Sequence, residues 1–577
     1  MPIDDFRPRL AFRVGVTGHR DLNAKACREL RPRVRARLEQ IKHLAEQAAT
    51  ESQGVYDDDA PAILRAISPL AEGADRLFAE EAIDLGYDLE CPLPFDCREY
   101  RNDFTDEVSK RQFDDLLARA KGTVFELDGS RKDAPAAYAL VGELVLDQCD
   151  ILLAIWDGKN AKGEGGTAEV VAHAKRRRIP VVWLHTDSGA LDTIITSNGS
   201  EDCGRVTCGG IDERMKDAVW GLLLPPRNPD PVGSLHLTER LLAPVLVRVW
   251  RLYERALTAG LRRSRSPADA PPESLAIHGF QKQYASWDRS ANLLAGLYRG
   301  AFLLNYALGV LAVFLAILGN ATGGHWGWAA GESVTILIVI VLVASLRRRR
   351  WHLRTADCRY LAEQFRILCY SYPLGLAPCK PHQPAYYLPA ELGDSWVEWH
   401  SRAIVRQTPM PTAKVTDDYL KEHAKAIRKW VRGQIHYHDR NAAKLERIDH
   451  IIHLWCWRFI VTAFVAALLA WIFHSSAIFR FAEDHCNLHA WLLLFTAGLP
   501  AASAAAHAIS TQGEFRRLVD RSESMARGLR SSLSRLDPEA ASSAAKLRCQ
   551  TEHLAQVLLN EVADWQVLYR KPAPPPG

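Results

Sequence analysis

Apolar residues in the second half of the chain gather in four long stretches: Gly300–Gly319, Trp326–Leu346, Arg458–Phe479 and Ala490–Ile509. Each is close to the ~20 residues that a helix rising 1.5 Å per residue needs to cross a hydrocarbon core. The first has no charged residue, and Asn305 is its main polar interruption. The second carries one acid, Glu332, and ends in Arg347-Arg348-Arg349-Arg350-Trp351. The first half reads differently. Short apolar runs there alternate with helical patterns and glycine-bearing polar loops, the pattern of a parallel, doubly wound sheet.

The placement of charge orients the apolar stretches. Basic residues crowd the cytoplasmic ends of membrane helices. Asn320–Gly331, between the first two stretches, has no Lys or Arg, whereas Arg458 precedes the third and Arg516, Arg517 and Arg521 follow the fourth. Both pairs therefore read as in–out–in hairpins, with both termini cytoplasmic and the chain multi-pass in the cell's inner (plasma) membrane. The alternative is a pair of buried core hairpins, which run length and charge placement oppose. Met1–Asp5 lacks the basic start and apolar run of a signal peptide, so the first membrane helix is expected to direct its own insertion. In the fourth stretch Gly498, Ala502 and Ala506 share one face, which permits close helix packing. Ser503 and His507 would let the same helix line a pore; ordinary packing is the alternative.

The 577 residues suffice for two or three domains, and a net charge of +4 gives no argument for direct nucleic-acid binding. The expected divisions are an α/β domain at 1–260, a linker at 261–275, a first helix–hairpin–helix unit at 276–370, a loop-rich connector at 371–420 and a second unit at 421–570. The echo of Ala285–Leu294 (ASWDRSANLL) in His438–Leu445 (HDRNAAKL) suggests a duplicated unit. Amphipathic helices are expected after each hairpin, at His352–Cys369 and Gly513–Ser532. The twelve cysteines show no metal-site spacing, and no metal is expected.

Three polar loops in the first half fall at strand–helix junctions. The run LAFRVGVTGHR ends in Thr17-Gly18-His19-Arg20. Strand Ala62–Ser68 is followed by Glu72-Gly73-Ala74-Asp75 before a helix to Leu85. Strand Cys149–Trp156 leads through Asp157 to Gly165-Gly166-Thr167-Ala168-Glu169, where Thr167 is a candidate N-cap. Ligands of doubly wound sheets bind at the carboxyl ends of the strands, where all three loops would meet. A tight structural turn is the plain alternative for each loop alone. Neither a GxGxxG nor a Walker spacing occurs.

VGVTGHR, SPLAEGADR and WDG…GEGGTAEVV together resemble the SLOG superfamily of Rossmann-like nucleotide-binding domains. YRGAFLLNYALG, RTADCRYLAEQFR and QGEFRRLVDRSESMARGLR resemble the SLATT family of two-helix membrane effectors. The resemblance implies an α/β Rossmann-like domain with four transmembrane helices in two hairpins. It also implies sensing of a nucleotide second messenger or NAD derivative, with bilayer disruption in antiphage or conflict responses. A homo-oligomer would be needed for a pore, and no further cofactor is implied. Gly165, Gly166 and Thr167 would hold phosphate, and Glu169 or Asp157 would accept ribose hydroxyls. Thr17, Gly18, His19 and Arg20 would close one side, and Glu72, Gly73 and Asp75 the third loop. In the phosphoribohydrolase members an acid stands three residues after the Thr; here Val170 holds that place and Glu169 sits one earlier, turned about 100° on a helix. The enzymatic alternative is a membrane-tethered hydrolase using Glu169 and Glu72 as acid or nucleophile and His19 as base.

Overall fold

A computed structural model of the chain describes residues 7–57, 60–104, 106–120, 123–159, 165–186, 191–196, 210–226, 236–258, 275–322, 326–376, 396–473, 492–536 and 543–570. Alternating apolar runs form the strands β1 (Ala11–Gly18), β2 (Ile63–Ile67), β3 (Asp88–Leu93), β4 (Val124–Glu126), β5 (Ile151–Trp156), β6 (Val181–His185), β7 (Thr193–Ile195) and β8 (Ala413–Lys414). They make one eight-stranded sheet in the order β7-β6-β5-β1-β2-β3-β4-β8. Every pairing is parallel except β6–β7. The chain runs outward from β1 to β4, then returns to the other side of β1 for β5. That reversal makes the carboxyl edge between β1 and β5 the topological switch point, the place where ligands of such sheets bind.

Helices α1 (Ala24–Glu51), α2 (Ala74–Asp84), α3 (Cys97–Tyr100), α4 (Glu107–Arg119), α5 (Ala134–Gln148), α6 (Thr167–Arg176) and α7 (Ile211–Leu223) complete the α/β part. Period-two alternation sorts β1: Phe12, Val14 and Val16 bury in the core shared with α1, α2, α4 and α7. The opposite sheet face, with Leu152, Ala154 and Val181, shares a second core with α5, α6 and helices of the second half. These include α8 (Leu237–Leu257), α9 (Leu275–Ala321) and α11 (Trp351–Ser371); Phe365 of α11 and Tyr372 just beyond its end pack on Phe280 of α9.

The two halves are joined by buried charge as well as apolar surface. Arg13 of β1 donates to Gln148 (3.0 Å), to the Tyr372 hydroxyl (3.3 Å) and to the Val405 and Arg406 carbonyls (2.5 and 3.2 Å). Arg65 of β2 donates to the Gln407 carbonyl (2.9 Å) and pairs with Glu90 of β3 at 3.0 Å. Glu90 in turn accepts the Met410 amide at 3.1 Å. The guanidinium groups thus cap the carbonyl end of the helix Trp396–Gln407, where cations suit the helix dipole. The described part of the segment expected to be a loop-rich connector therefore supplies a helix on the sheet and its outermost strand, β8. Pro373–Pro389, expected to be an ordered loop, lies largely outside the described residues.

In the second half, three helices are long and apolar enough to cross a membrane: Ile277–Ala321, α10 (Trp326–Arg349) and Asp417–Ile472. Their apolar side chains face outward, among them Ile340 (58% exposed) and Trp471 (78%). Such exposed apolar surface on three long helices opposes the buried-core alternative. The third expected stretch is helical through Phe473, and its last residues lie outside the described ones. The fourth begins outside them; Leu492–Gly513 is helical, with a π-turn at Leu494–Gly498 just before Pro500. Gly498 lies against the Phe314 ring of α9, and Ser503 donates to the Cys456 carbonyl at 3.2 Å. The small-residue stripe is thus used for packing.

The echo in sequence has a counterpart in geometry. The helices α11 and Phe515–Arg535 are each entered through one left-handed residue, Arg350 (φ 46°) or Glu514 (φ 48°). Each returning helix, α11 or Phe515–Arg535, has 21 residues. In each unit the Asp of the Asp-Arg pair bonds an arginine on the returning helix: Asp288 with Arg359 at 2.5 Å, Asp439 with Arg530 at 2.6 Å.

Candidate functional site

The carboxyl ends of β1 and β5 bring His19 and Asp157 together. His19 Nε2 lies 3.1 Å from Asp157 Oδ1 and 3.2 Å from the Asp157 amide nitrogen. A neutral ring with a bare Nε2 accepts the amide proton; a protonated ring pairs with the carboxylate. Lys159 adds its amide and its ammonium, each 3.1 Å from the same carboxylate. Against the upward push of desolvation, Lys159 and His19 hold Asp157 down at about 2. Asp157 is therefore an acceptor throughout the physiological range.

Glycine is required where the loops cross. A Cβ on Gly18 would stand 2.4 Å from Ala74 Cβ and 2.7 Å from the Ile155 carbonyl. Gly73 has φ +77°, and its Cβ would meet the Arg20 and His19 carbonyls at 2.3 and 2.5 Å. Ala74 donates its amide to the His19 carbonyl at 3.0 Å. The Thr17–Arg20 and Glu72–Asp75 loops are thus in backbone contact.

Arg20 leans toward β3. It lies 3.4 Å from Asp103 and 4.9 Å from the centroid of the Tyr138 ring. Tyr138 and Arg131 also bond Asp103, so one carboxylate, nearly buried, gathers two arginines and a phenol. Asp75, buried beside Arg20, is pushed up to about 7 by desolvation, countered in part by Arg20 and the Ala71 amide. A carboxyl that keeps its proton in the fold between about pH 4, where it ionises when unfolded, and 7 makes stability fall as pH rises through that window. Asp75→Asn is expected to flatten that slope in thermal melts of the full chain; an unchanged slope would refute the assignment.

The α6 loop departs from expectation in two ways. Thr167 is the first helical residue, and extended Gly166 (φ −77°, ψ 160°) is the N-cap. Glu169 folds back to accept the Gly165 amide at 2.7 Å. That amide is therefore taken, and Glu169 acts as a brace for its own loop. Gly165 has φ +79°, and its Cβ would come within 2.8 Å of the Ala139 amide nitrogen. Glu72 accepts the Ser109 hydroxyl, beside Arg76. Neither glutamate stands free as a nucleophile.

Aromatic rings gather at the ends of β5 and β6. The rings of Trp156 and Trp183 are 5.3 Å apart, and His185 stacks on Trp183 at 4.6 Å. Both indoles donate to backbone carbonyls at 3.0 Å. Sequence reasoning missed Lys159, Asp103, Arg131, Tyr138 and these rings. The polar run Asp96–Asp103 directly after β3 was the available signal, since the same edge logic applies to it. Among the described residues no cluster of three or more His, Cys, Asp or Glu side chains is placed to hold a metal ion. A groove of about 530 Å³ below α2 and α4 is lined by charges such as Arg31 and Glu80, which pair at 2.6 Å.

These features define an α/β domain with polar and aromatic side chains gathered at its switch point, joined to long apolar helices. No family model matches the chain, and no curated protein matches it in sequence.

Proposed function

We propose that this chain is a membrane-anchored receptor that binds a nucleotide-derived ligand at the carboxyl edge of its cytoplasmic sheet and thereby alters the membrane helices. The observation that carries this reading is the meeting of His19 and Asp157 at the β1/β5 reversal, flanked by Arg20 and the Trp156–Trp183 wall. An ionised carboxylate suits ribose hydroxyls, arginine suits phosphate, and an indole face suits a base. Strand β1 offers the coupling route, because Arg13 on the same strand bonds Tyr372 at the end of α11. A ligand shifts the helices only if it binds one arrangement more tightly than the other. On this reading the apolar stretches form four spans in two in–out–in hairpins, as the SLOG and SLATT resemblance implies, and homo-oligomers perturb the bilayer.

The test uses the full chain in detergent or nanodiscs, because the sheet shares its core and its edge strand with the second half. Mono-, di- and cyclic nucleotides and NAD derivatives are screened by thermal shift, with ligand integrity followed by mass spectrometry. A ligand at 100 times its Kd adds about 2.7 kcal/mol of stability. That gain is expected to disappear in His19→Ala and Asp157→Asn. A ligand consumed in the same tubes, with consumption lost in Glu169→Gln, would favour the hydrolase. No stabilisation by any member of the panel would count against the receptor.

A further inference from the structure

Helix α8 presents a face that neither the His19–Asp157 edge nor the helical bundle uses. Leu241 (70% exposed), Val245 (57%) and Leu252 (57%) point outward, together with Arg240, Arg248, Arg251 and Arg255. Positions 241, 245, 248, 252 and 255 are spaced by four and three residues, so they share one side of the helix. No acid joins that side. Glu239 is buried, and Glu254 pairs with Lys444. Among the described residues the four arginines have no ion pair.

The other side of α8 is pinned to the base of the apolar helices. Gly300, where the first apolar stretch begins, lies against Leu246; a Cβ there would be 2.1 Å from the Leu246 carbonyl. Gly296 sits against Val247, and the Arg299 guanidinium lies 5.2 Å from the Trp250 ring. At the end of the second stretch, Arg349 bonds Thr238 at 3.3 Å, and Trp351 and Arg354 bond Glu239 at 2.8 and 2.7 Å. Trp250 also packs with Ile448, Ile452 and Phe515, at the corresponding ends of the other hairpin. Helix α8 therefore crosses the bundle at the level where hydrocarbon gives way to headgroups.

We propose that the outer face of α8 lies in the cytoplasmic headgroup layer of the bilayer, with Leu241, Val245 and Leu252 at the acyl boundary and the arginines on anionic phosphates. An apolar stripe flanked by arginines, held at interface depth, is the arrangement of an interfacial helix. The occupant is an anionic lipid surface, because the face carries four positive charges, no negative one, and continues directly from the spanning helices. Helix α8 then ties the sheet-bearing half to the membrane plane. The inference rests on the reading that the apolar helices cross a bilayer.

The test places p-benzoylphenylalanine at position 252, 340 or 108 of the full chain, in nanodiscs of phosphatidylglycerol or phosphatidylcholine. Ile340 is mid-span, and Val108 lies on α4, 65% exposed. Lipid adducts are expected at 340 and 252 but not at 108. The adducts at 252 are expected to favour phosphatidylglycerol, and Arg248→Gln or Arg251→Gln each to lower that preference about fivefold. A lipid adduct at 340 with none at 252, or a crosslink from 252 to a second protein chain, would overturn the proposal alone. Absence of lipid at both 340 and 252 would overturn the spanning reading and this inference together.

Discussion

Gly73→Ala is expected to destabilise the sheet-bearing half by about 2–5 kcal/mol and to remove any ligand-induced thermal shift. Two costs combine. A φ of +77° strains any side chain, and the new Cβ would press on the His19 and Arg20 carbonyls. Relief requires the Thr17–Arg20 loop to retreat, which moves His19 away from Asp157. Gly86→Ala separates the two costs, because Gly86 has φ +89° but open space around its Cβ position. It is expected to lose only the conformational share, about 1 kcal/mol. Thermal melts of both variants in the full chain check this. Equal losses would show that the loop contact contributes nothing.

Arg65→Met is expected to cost about 3–5 kcal/mol, as removing one member of a buried ion pair leaves the other uncompensated. Arg65 and Glu90 are both nearly inaccessible, and the side chain also holds the carbonyl end of the helix Trp396–Gln407. Replacing both partners, Arg65→Met with Glu90→Met, is expected to cost less than the single change, since no buried charge is then orphaned. Denaturant titration of full-length protein, with protease cutting after position 407 as a local probe, reads both effects. A double variant weaker than the single one would show that the charges add net stability as a pair.

Much of the fold was legible along the chain. Strands β1, β2 and β5 and the helix after β2 follow from short apolar runs broken by glycine, and their observed bounds agree with expectation to within a few residues. The returning helices after each hairpin were legible from their periodicity. The short strands were not. β8 has two residues, and nothing in Ala413-Lys414 distinguishes it from a loop; it is a strand only because β4 offers an open edge. Thr167 misled because Thr is a favoured cap, yet the extended backbone of Gly166 lets the helix begin one residue earlier.

The candidate site divides in the same way. The loops with His19, Asp157, Gly73 and Gly165 were visible because glycine and charge stand at strand–helix junctions, a local pattern. Asp103, Arg131 and Tyr138 come from three separate elements, and only folding of β3, β4 and α5 around Phe95 brings them to one carboxylate.

The sequence by itself determined what kinds of surface the chain makes. Apolar runs of spanning length, rimmed by arginine, specify helices long and apolar enough to cross a membrane, and glycine-broken runs specify a parallel sheet, because both signals are local patterns that backbone geometry enforces. Tertiary structure decided which surfaces meet. It put His19 on Asp157, Arg13 on the carbonyls of a helix nearly four hundred residues away, and α8 across the base of the bundle. Such contacts arise from shape and charge satisfied at a distance along the chain, and no short segment records its distant partner.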